Sequence, residues 1–438
     1  MPAARLPPLS PQQYDIAATE DSLARMVDDF RRLGDTYRVF APGRGSETWV
    51  IHDPEDIRRV LVGNHRNYTK GVGLDRVRIL LGNGIMVSEG DLWKRQRRML
   101  QPLFHRRVIE RFAGVIVEAN DRLLESWARS ADAGEPVDVT AGTSTLALAI
   151  ILRALFGRDL EGLAGSDWMS DAASNNPFRV VTQMPERNLE FAYRFRSLTK
   201  LVRGIVQRRR ERDEEHFDYV AMLMAARDRE TGAAMSEREL IDEIMTLVVA
   251  GHETTAATLN ATWWLLSAHR AADAHLAAEV AALPADWLPD YATTEALSWT
   301  QAVIQEAMRL YPAGWLLTRR TIEADVLGGA SVPAKTDVLL SPYLVHRHPA
   351  HWDEPEAFRP ARFEPEAVER RHKYAYFPFA VGPRHCIGEH FAMYEMTVHL
   401  AKVAHRFRLR HLDDGPVPWE ALVNLRTRSN LRFMLEPR

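Results

Sequence analysis

Apolar residues at Leu23, Met26, Val27, Phe30 and Leu33 recur at helical spacing and stop at Gly34, so the first ordered element predicted is an amphipathic helix with a glycine end. The period then changes. Tyr37 to Phe40 and Thr48 to Ile51 predict the strands of a hairpin joined by Pro42-Gly43-Arg44-Gly45. Asp53-Pro54 supplies an N-cap with proline at the first helical position and opens a helix running towards Gly63. Residues 64 to 87 are spotted with glycine and read as mostly irregular. From Ser88, placed to cap a helix, the pattern is helical almost without interruption to Tyr311, with breaks near Gly134, Asn175-Asn176-Pro177, Gly232 and Pro284. Ser236 with Glu239 forms a capping box for a helix through Ile244, Leu247 and Val248 to Trp263-Trp264. Short strands follow, including Asp337 to Leu340, then loops, a helix from Ile387 to His405, and strand candidates near Arg406 to Arg410 and Asn430 to Leu435. The expected fold class is mainly α with a small β subdomain.

Composition narrows the picture. At 438 residues, 46% hydrophobic and 26% charged, the chain can bury a large core, and length alone suggests two or three domains. No linker separates them, so one domain over residues 1–438 is expected, with residues 1–20 as a proline-rich extended arm. A net charge of −3 speaks against nucleic-acid binding driven by an overall positive field. The N-terminus shows neither a signal pattern nor a long apolar run, which predicts a cytoplasmic protein without a membrane anchor. His252 and the His346-Arg347-His348 group read as exposed or loop histidines, with no second ligand at zinc spacing.

A single cysteine, Cys386, excludes an intrachain disulfide and any multi-cysteine metal site. Its surroundings, Phe379-Ala380-Val381-Gly382-Pro383-Arg384-His385-Cys386-Ile387-Gly388, place an aromatic, two glycines and an arginine around the thiol. The helix that follows offers free N–H groups and a dipole that favour the anionic sulfur. Gly382 and Gly388 let the backbone turn and approach a flat cofactor, and Arg384 is placed to pair with a carboxylate on its rim. A lone cysteine is otherwise most often an inert buried hydrophobe. Within the long helix, Ala250-Gly251-His252-Glu253-Thr254-Thr255 carries a glycine and two threonines of poor helix propensity, the mark of a local distortion or of threonines bonding back to the previous turn. Glu306 and Arg309 share a helical face, as do Trp93 and Arg97.

The cysteine segment resembles the haem-binding signature of the cytochrome P-450 monooxygenases, F-x-x-G-x-R-x-C-x-G. Further elements stand in the family's order: W-x-x-x-R at Trp93 and Arg97, A-G-x-E-T-T at Ala250 to Thr255, E-x-x-R at Glu306 and Arg309, and P-x-R-F at Pro360 to Phe363, with Ala361 where glutamate is usual. The resemblance implies a triangular helix-rich prism around a buried haem, with about 37–63 and 317–345 contributing the β region. It makes Cys386 the axial iron ligand, with Phe379, Gly388 and Ala250 against the haem and Trp93, Arg97, Arg319 and Arg384 towards its propionates. Ala250 and Gly251 leave room for dioxygen, Thr254 donates to it and Glu253 helps relay protons. Glu306, Arg309 and Arg362 form a network that holds the loop before the cysteine. The cofactors implied are haem b and O2, with NAD(P)H acting only through redox partners.

The same resemblance predicts a monomeric monooxygenase that oxidises a lipophilic small molecule with electrons from a separate ferredoxin and its reductase, or a flavodoxin-type carrier. Lys94, Arg95, Arg98, Arg106 and Arg107 make either a solvated face or a docking face for that carrier. Pocket walls are expected from residues 68–87, the segment from Asn175 to Glu190, Val249-Ala250, and Ala313 to Leu317 including Trp315 and Leu316. A peroxide-driven peroxygenase or isomerase, and a haem sensor without turnover, are the alternatives.

Overall fold

A computed structural model describes residues 6–16, 21–160, 189–212, 215–284, 286–413 and 415–438. The helical stripes fold into ten helices of eight residues or more among the described residues: α1 (Ser22–Leu33), α2 (Leu74–Leu81), α3 (Gly90–Leu100), α4 (Ala113–Asp132), α5 (Val139–Phe156), α6 (Leu189–Glu211), α7 (Glu237–Ala268), α8 (Arg270–Val280), α9 (Ser298–Leu310) and α10 (Glu389–Arg406). The expected break at Asn175-Asn176-Pro177 and the pocket wall over 175–188 lie outside the described residues.

α7 is apolar on nearly every side, which is the pattern of a helix enclosed by others. Its capping box forms as predicted, Ser236 N donating to Glu239 Oε2 at 2.8 Å and Glu239 N to Ser236 Oγ at 3.3 Å. α5 packs along it, joined by Thr143 Oγ1 donating to Asn260 Oδ1 at 2.8 Å. The segment Val139–Leu160 is long and apolar enough to cross a membrane, but it is mostly buried in this core. α4, α9 and α10 complete the surround, and one cluster of buried side chains runs through all of them.

The hairpin forms as β2 (Thr36–Ala41) and β3 (Ser46–Ile51), and the N-terminal arm is more than an extended arm. Leu9–Gln13 is a strand, β1, that pairs parallel with β2, because Ser10 and Tyr14 reach the buried carboxylate of Asp29 on α1 at 2.8 Å each. Together with β4 (Tyr68–Lys70), β5 (Leu317–Thr321) and β6 (Asp337–Leu340), these make a six-stranded sheet in the order β1-β2-β3-β6-β5-β4. The closing pair is Phe407–His411 against Arg432–Pro437, antiparallel.

Residues 64–87 depart from the irregular reading, since they hold both β4 and α2. β4 exists only by pairing with β5, far away in sequence, so local pattern could not reveal it. The helix opened by Asp53 spans Pro54–Arg58 and continues as one wide turn over Arg59–Gly63. Ser88 does not cap α3. That helix starts two residues later, after Glu89, and the Ser88 hydroxyl is buried without a partner.

Candidate active site

The cysteine loop is held from inside. Cys386 N donates to Phe379 O at 2.9 Å and His385 N to Gly382 O at 3.0 Å, closing a compact turn. Ala380 takes a left-handed φ of 58° and Gly382 one of 78°. A Cβ on Gly382 would sit 2.1 Å from Leu61 O, so this glycine lets the loop lie against the wide turn after Pro54–Arg58. Gly388 has an ordinary φ of −89° and precedes α10 directly.

The Cys386 side chain is exposed to open space, yet protein closes round it enough for burial to dominate its acidity. Burial pushes the thiol pKa up. The Gly388 and Glu389 N–H groups and Arg97 pull it down, while the Glu389 carboxylate pushes it up. The predicted helix-terminus effect is present and is outweighed by desolvation. A cavity of about 730 Å³ lies beside the loop, lined in part by Trp93, Arg97, Gln101, Lys373, Val381 and His385.

Across the core, α7 stays helical throughout, and Ala250 is the only exposed position between Glu239 and Ser267. Thr254 Oγ1 donates to Ala250 O at 2.7 Å, the backward bond that a mid-helix threonine makes. Glu253 Oε2 accepts from Asn424 Nδ2 at 2.9 Å. Thr255 Oγ1 donates to Glu395 Oε1 at 2.8 Å and ties α7 to α10 nine residues beyond the cysteine. Gly251 does not face the same opening as Ala250. A Cβ there would meet Ile151 of α5 at 3.0 Å, so its small size serves helix packing. His252 is buried, with Nε2 3.0 Å from Ser144 Oγ, contrary to the exposed reading.

On α9, Glu306 and Arg309 are wholly buried and pair at 2.7 and 2.8 Å. Arg309 spends its remaining donors on the carbonyls of His346 (2.9 Å), Pro355 (2.6 Å) and Ala357 (2.9 Å). Arg362 Nε lies 3.4 Å from Glu306 Oε1 and its Nη2 donates to Glu354 O at 2.8 Å. The three residues are thus brought together. The histidine group is not exposed as expected: His346 is buried and its Nε2 accepts the Phe377 N–H at 2.9 Å, while His348 pairs with Asp35 at 2.8 Å.

Arg384 donates to Ser88 O at 2.8 Å and Glu89 Oε2 at 2.6 Å, and its guanidinium lies 3.9 Å from the centre of the Trp93 ring. Arg97 donates to His385 O at 2.8 Å, bracing the residue before the thiol, and to Gln101 Oε1 at 2.8 Å. Arg319 is buried on β5, and burial followed by the charge of Arg384 brings its pKa down to about 10. Sequence reasoning missed Lys70 on β4, which the strand register places opposite Arg319. It belongs to no motif, and only the long-range pairing exposes it.

The family model of Cytochrome P450 matches residues 12–431. The chain belongs to the cytochrome P450 family. It is 35% identical over 396 residues to cyclooctatin synthase of Streptomyces melanosporofaciens, covering 88% of this chain and 85% of that one. Pentalenene oxygenase of Streptomyces avermitilis is 31% identical over 403 residues, covering 90% and 88%. The crystal structure of the cytochrome P450DA heme domain superposes with a TM-score of 0.88 at 25% identity, covering 100% of this chain and 98% of that one. The P450 fold and monooxygenase class expected from sequence are therefore confirmed.

A P450 implies haem, and the residues fit one. Lys70, Arg319 and Arg384 bring three positive charges together around one carboxylate, Glu89, a surplus that suits the carboxylates on a porphyrin rim. The thiol opens to space at the start of α10. Of the expected pocket residues, Trp315 is buried in the core under the sheet, its Nε1 donating to Leu422 O at 3.0 Å. Leu316 packs on that same core and Leu317 on the neighbouring one, while Val249 borders the helical core. The indole packs the sheet because its N–H finds a carbonyl there.

Of the two readings of the basic residues, the pairs they make accord with the solvated face. Lys94 pairs with Asp91 at 2.9 Å, Arg95 with Glu239, Arg98 with Asp228 at 3.0 Å and Glu230 at 2.9 Å, and Arg106 with Glu295 at 2.8 Å. Most of its charge is met within the chain, which weakens the long-range field available to a partner.

Proposed function

We propose that this P450 oxidises a terpene-like lipophilic molecule at a haem held by Cys386, drawing electrons from a separate ferredoxin-type carrier and its reductase in the cytoplasm. Haem, when bound, supplies iron that a thiolate ligand disposes towards splitting dioxygen and delivering one oxygen atom to a C–H bond. The observation that carries the reading is the exposed Cys386 at the head of α10, in a loop braced by Arg97 on the His385 carbonyl and by Arg384 on Glu89. The relatives named for cyclooctatin and pentalenene are bacterial terpene oxidisers, which supports that class of substrate.

The chain's own residues divide the work. The turn from Phe379 to Cys386 presents the sulfur, and Arg97 fixes the carbonyl before it. Arg384, over Trp93, and Arg319 orient the haem through its carboxylates. Ala250 keeps the middle of α7 open, and the Thr254 hydroxyl, now on Ala250 O, serves as the proton donor there. Glu253, steadied by Asn424, feeds protons towards it. Glu306, Arg309 and Arg362 hold the segment that leads into the cysteine loop.

The test is spectroscopic. The purified, reduced protein under carbon monoxide is expected to show the red-displaced Soret band of thiolate ligation, and Cys386→Ser is expected to lose it. A terpene panel should then shift the ferric spin state of the wild type. Turnover with peroxide but none with reduced ferredoxin would replace the carrier-dependent reading by a peroxygenase.

A further inference from the structure

β4 and β5 set two cations face to face. In their antiparallel register Lys70 stands directly opposite Arg319, and like charges in that position destabilise a sheet. Arg319 is buried and Lys70 half-buried. Arg319 is 9% exposed, and the Lys70 ammonium is turned inwards onto the Met86 carbonyl. Gly71 keeps the strands in close contact, since a Cβ there would lie 2.7 Å from both the backbone nitrogen and oxygen of Arg319.

Arg384 brings a third charge, and among the described residues Glu89 is the single carboxylate that acts on the group. Glu89 is already committed: Oε1 accepts the Lys70 backbone N–H at 2.8 Å and Oε2 accepts from Arg384 at 2.6 Å. It leaves the Lys70 ammonium without a carboxylate of its own. Burial, then Arg319 and Arg384, hold the Lys70 pKa down to about 7 against the smaller pull of Glu89, so its full charge depends on a further anion nearby. Three neighbouring cations, Arg319 buried and Lys70 and Arg384 half-buried, are better matched when a further anion joins Glu89.

We propose that Lys70, with its cross-strand partner Arg319, anchors a carboxylate on the rim of the haem, and that it does so through its charge. The inference rests on the haem-thiolate reading above. No motif assigns the position. A packing lysine would extend its ammonium to solvent, whereas this one turns onto the Met86 carbonyl within the field of Arg319 and Arg384.

The experiment compares wild type, Lys70→Met and Lys70→Arg as purified holoproteins, following haem transfer to excess apomyoglobin by absorbance. Lys70→Met, which keeps the length and apolar stem, is expected to lose haem about tenfold faster or more, the range of a charge-assisted bond. Lys70→Arg should stay within about threefold of wild type. The reduction potential of the haem should fall in Lys70→Met alone, a readout that simple packing would not move. Equal transfer rates and potentials in all three, with the red-displaced carbon monoxide band intact, would overturn the assignment and leave the haem-thiolate reading standing. Equal loss of haem from both variants would overturn the role of charge. Absence of the band from the wild type would overturn both readings.

Discussion

Arg309 donates through Nη1 to the His346 carbonyl at 2.9 Å, and the ring of that histidine accepts the Phe377 N–H at 2.9 Å. Phe377 stands two residues before Phe379, whose carbonyl receives the Cys386 N–H. A path of hydrogen bonds and intervening covalent chain therefore runs from a buried ion pair on α9 to the backbone of the cysteine. On the proposed function, it is the route by which Glu306, remote in sequence, bears on the presentation of the thiol.

Truncating that path should cost stability first and haem second. Glu306→Ala leaves the fully buried Arg309 without its carboxylate, and about 3–5 kcal/mol is expected from such a loss. His346→Ala strands the Phe377 N–H for about 1–3 kcal/mol. Urea unfolding of each holoprotein gives the free energies, and the haem-to-protein absorbance ratio reports the loop. An unchanged ratio in Glu306→Ala would separate the network from haem retention.

His346 also carries a pH prediction. Burial, then the charges of Arg309 and Arg347, hold its pKa well below the ordinary value. A depressed folded value means that stability is present above the unfolded pKa of about 6.5 and is lost as pH falls below it, since only the unfolded chain gains the proton. His52 and His399, each brought down to about 3 by burial, add to the same slope. Melting temperature should fall between pH 6.5 and 5, and His346→Gln, whose amide oxygen can still accept the Phe377 N–H, should show a shallower fall than wild type.

Gly382→Ala tests the loop from its other side. The position combines a φ of 78° with a Cβ direction that ends 2.1 Å from Leu61 O. Left-handed strain for a non-glycine residue is about 1–3 kcal/mol before the collision is counted. Little holoprotein should be recovered, and a variant that binds haem normally would show that the loop can shift away from Leu61.

How far these features could be read in advance depended on whether they were local. Ser236 and Glu239, Asp53 and Pro54, and the residues around Cys386 interact within a few positions, and their elements appear where the pattern put them. β1 and β4 escaped notice because a short edge strand is defined by its partner, and those partners lie at Arg38 and Arg319. Lys70 and His346 were lost for the same reason. Each draws its meaning from groups hundreds of positions away or from a buried backbone N–H that no side-chain pattern encodes. Trp315 misled in the other direction, since an indole beside a haem motif suggests a pocket wall, but a free carbonyl at Leu422 drew it into the sheet core.

Thr254→Ala removes the hydroxyl now held on Ala250 O without disturbing a tertiary contact of that oxygen. If it delivers protons, the variant should still bind substrate and consume NADPH with a competent carrier, but form less product per electron and release more peroxide, by up to about 10²-fold. Thr254→Ser should recover much of the coupling. Full coupling in Thr254→Ala would remove the residue from the proton route.

Glu395 gives the opposite pH dependence to the histidines. Its carboxyl is buried on α10 and receives the Thr255 hydroxyl, and burial pushes its pKa up to about 8 despite that bond. Glu243, buried on α7 with Oε2 accepting the Ile85 N–H at 3.0 Å, is likewise raised to about 8. For an acid with a raised folded value, the folded state holds a proton that the unfolded chain has already released. Stability is then greatest below the ordinary carboxyl range and declines as pH climbs from about 4.5 towards 8. Glu395→Gln keeps an oxygen for Thr255 and carries no charge at any pH. Its melting temperature should match wild type near pH 5 and exceed it near pH 8, and parallel curves for the two proteins across that range would show that Glu395 ionises freely and that burial does not govern it.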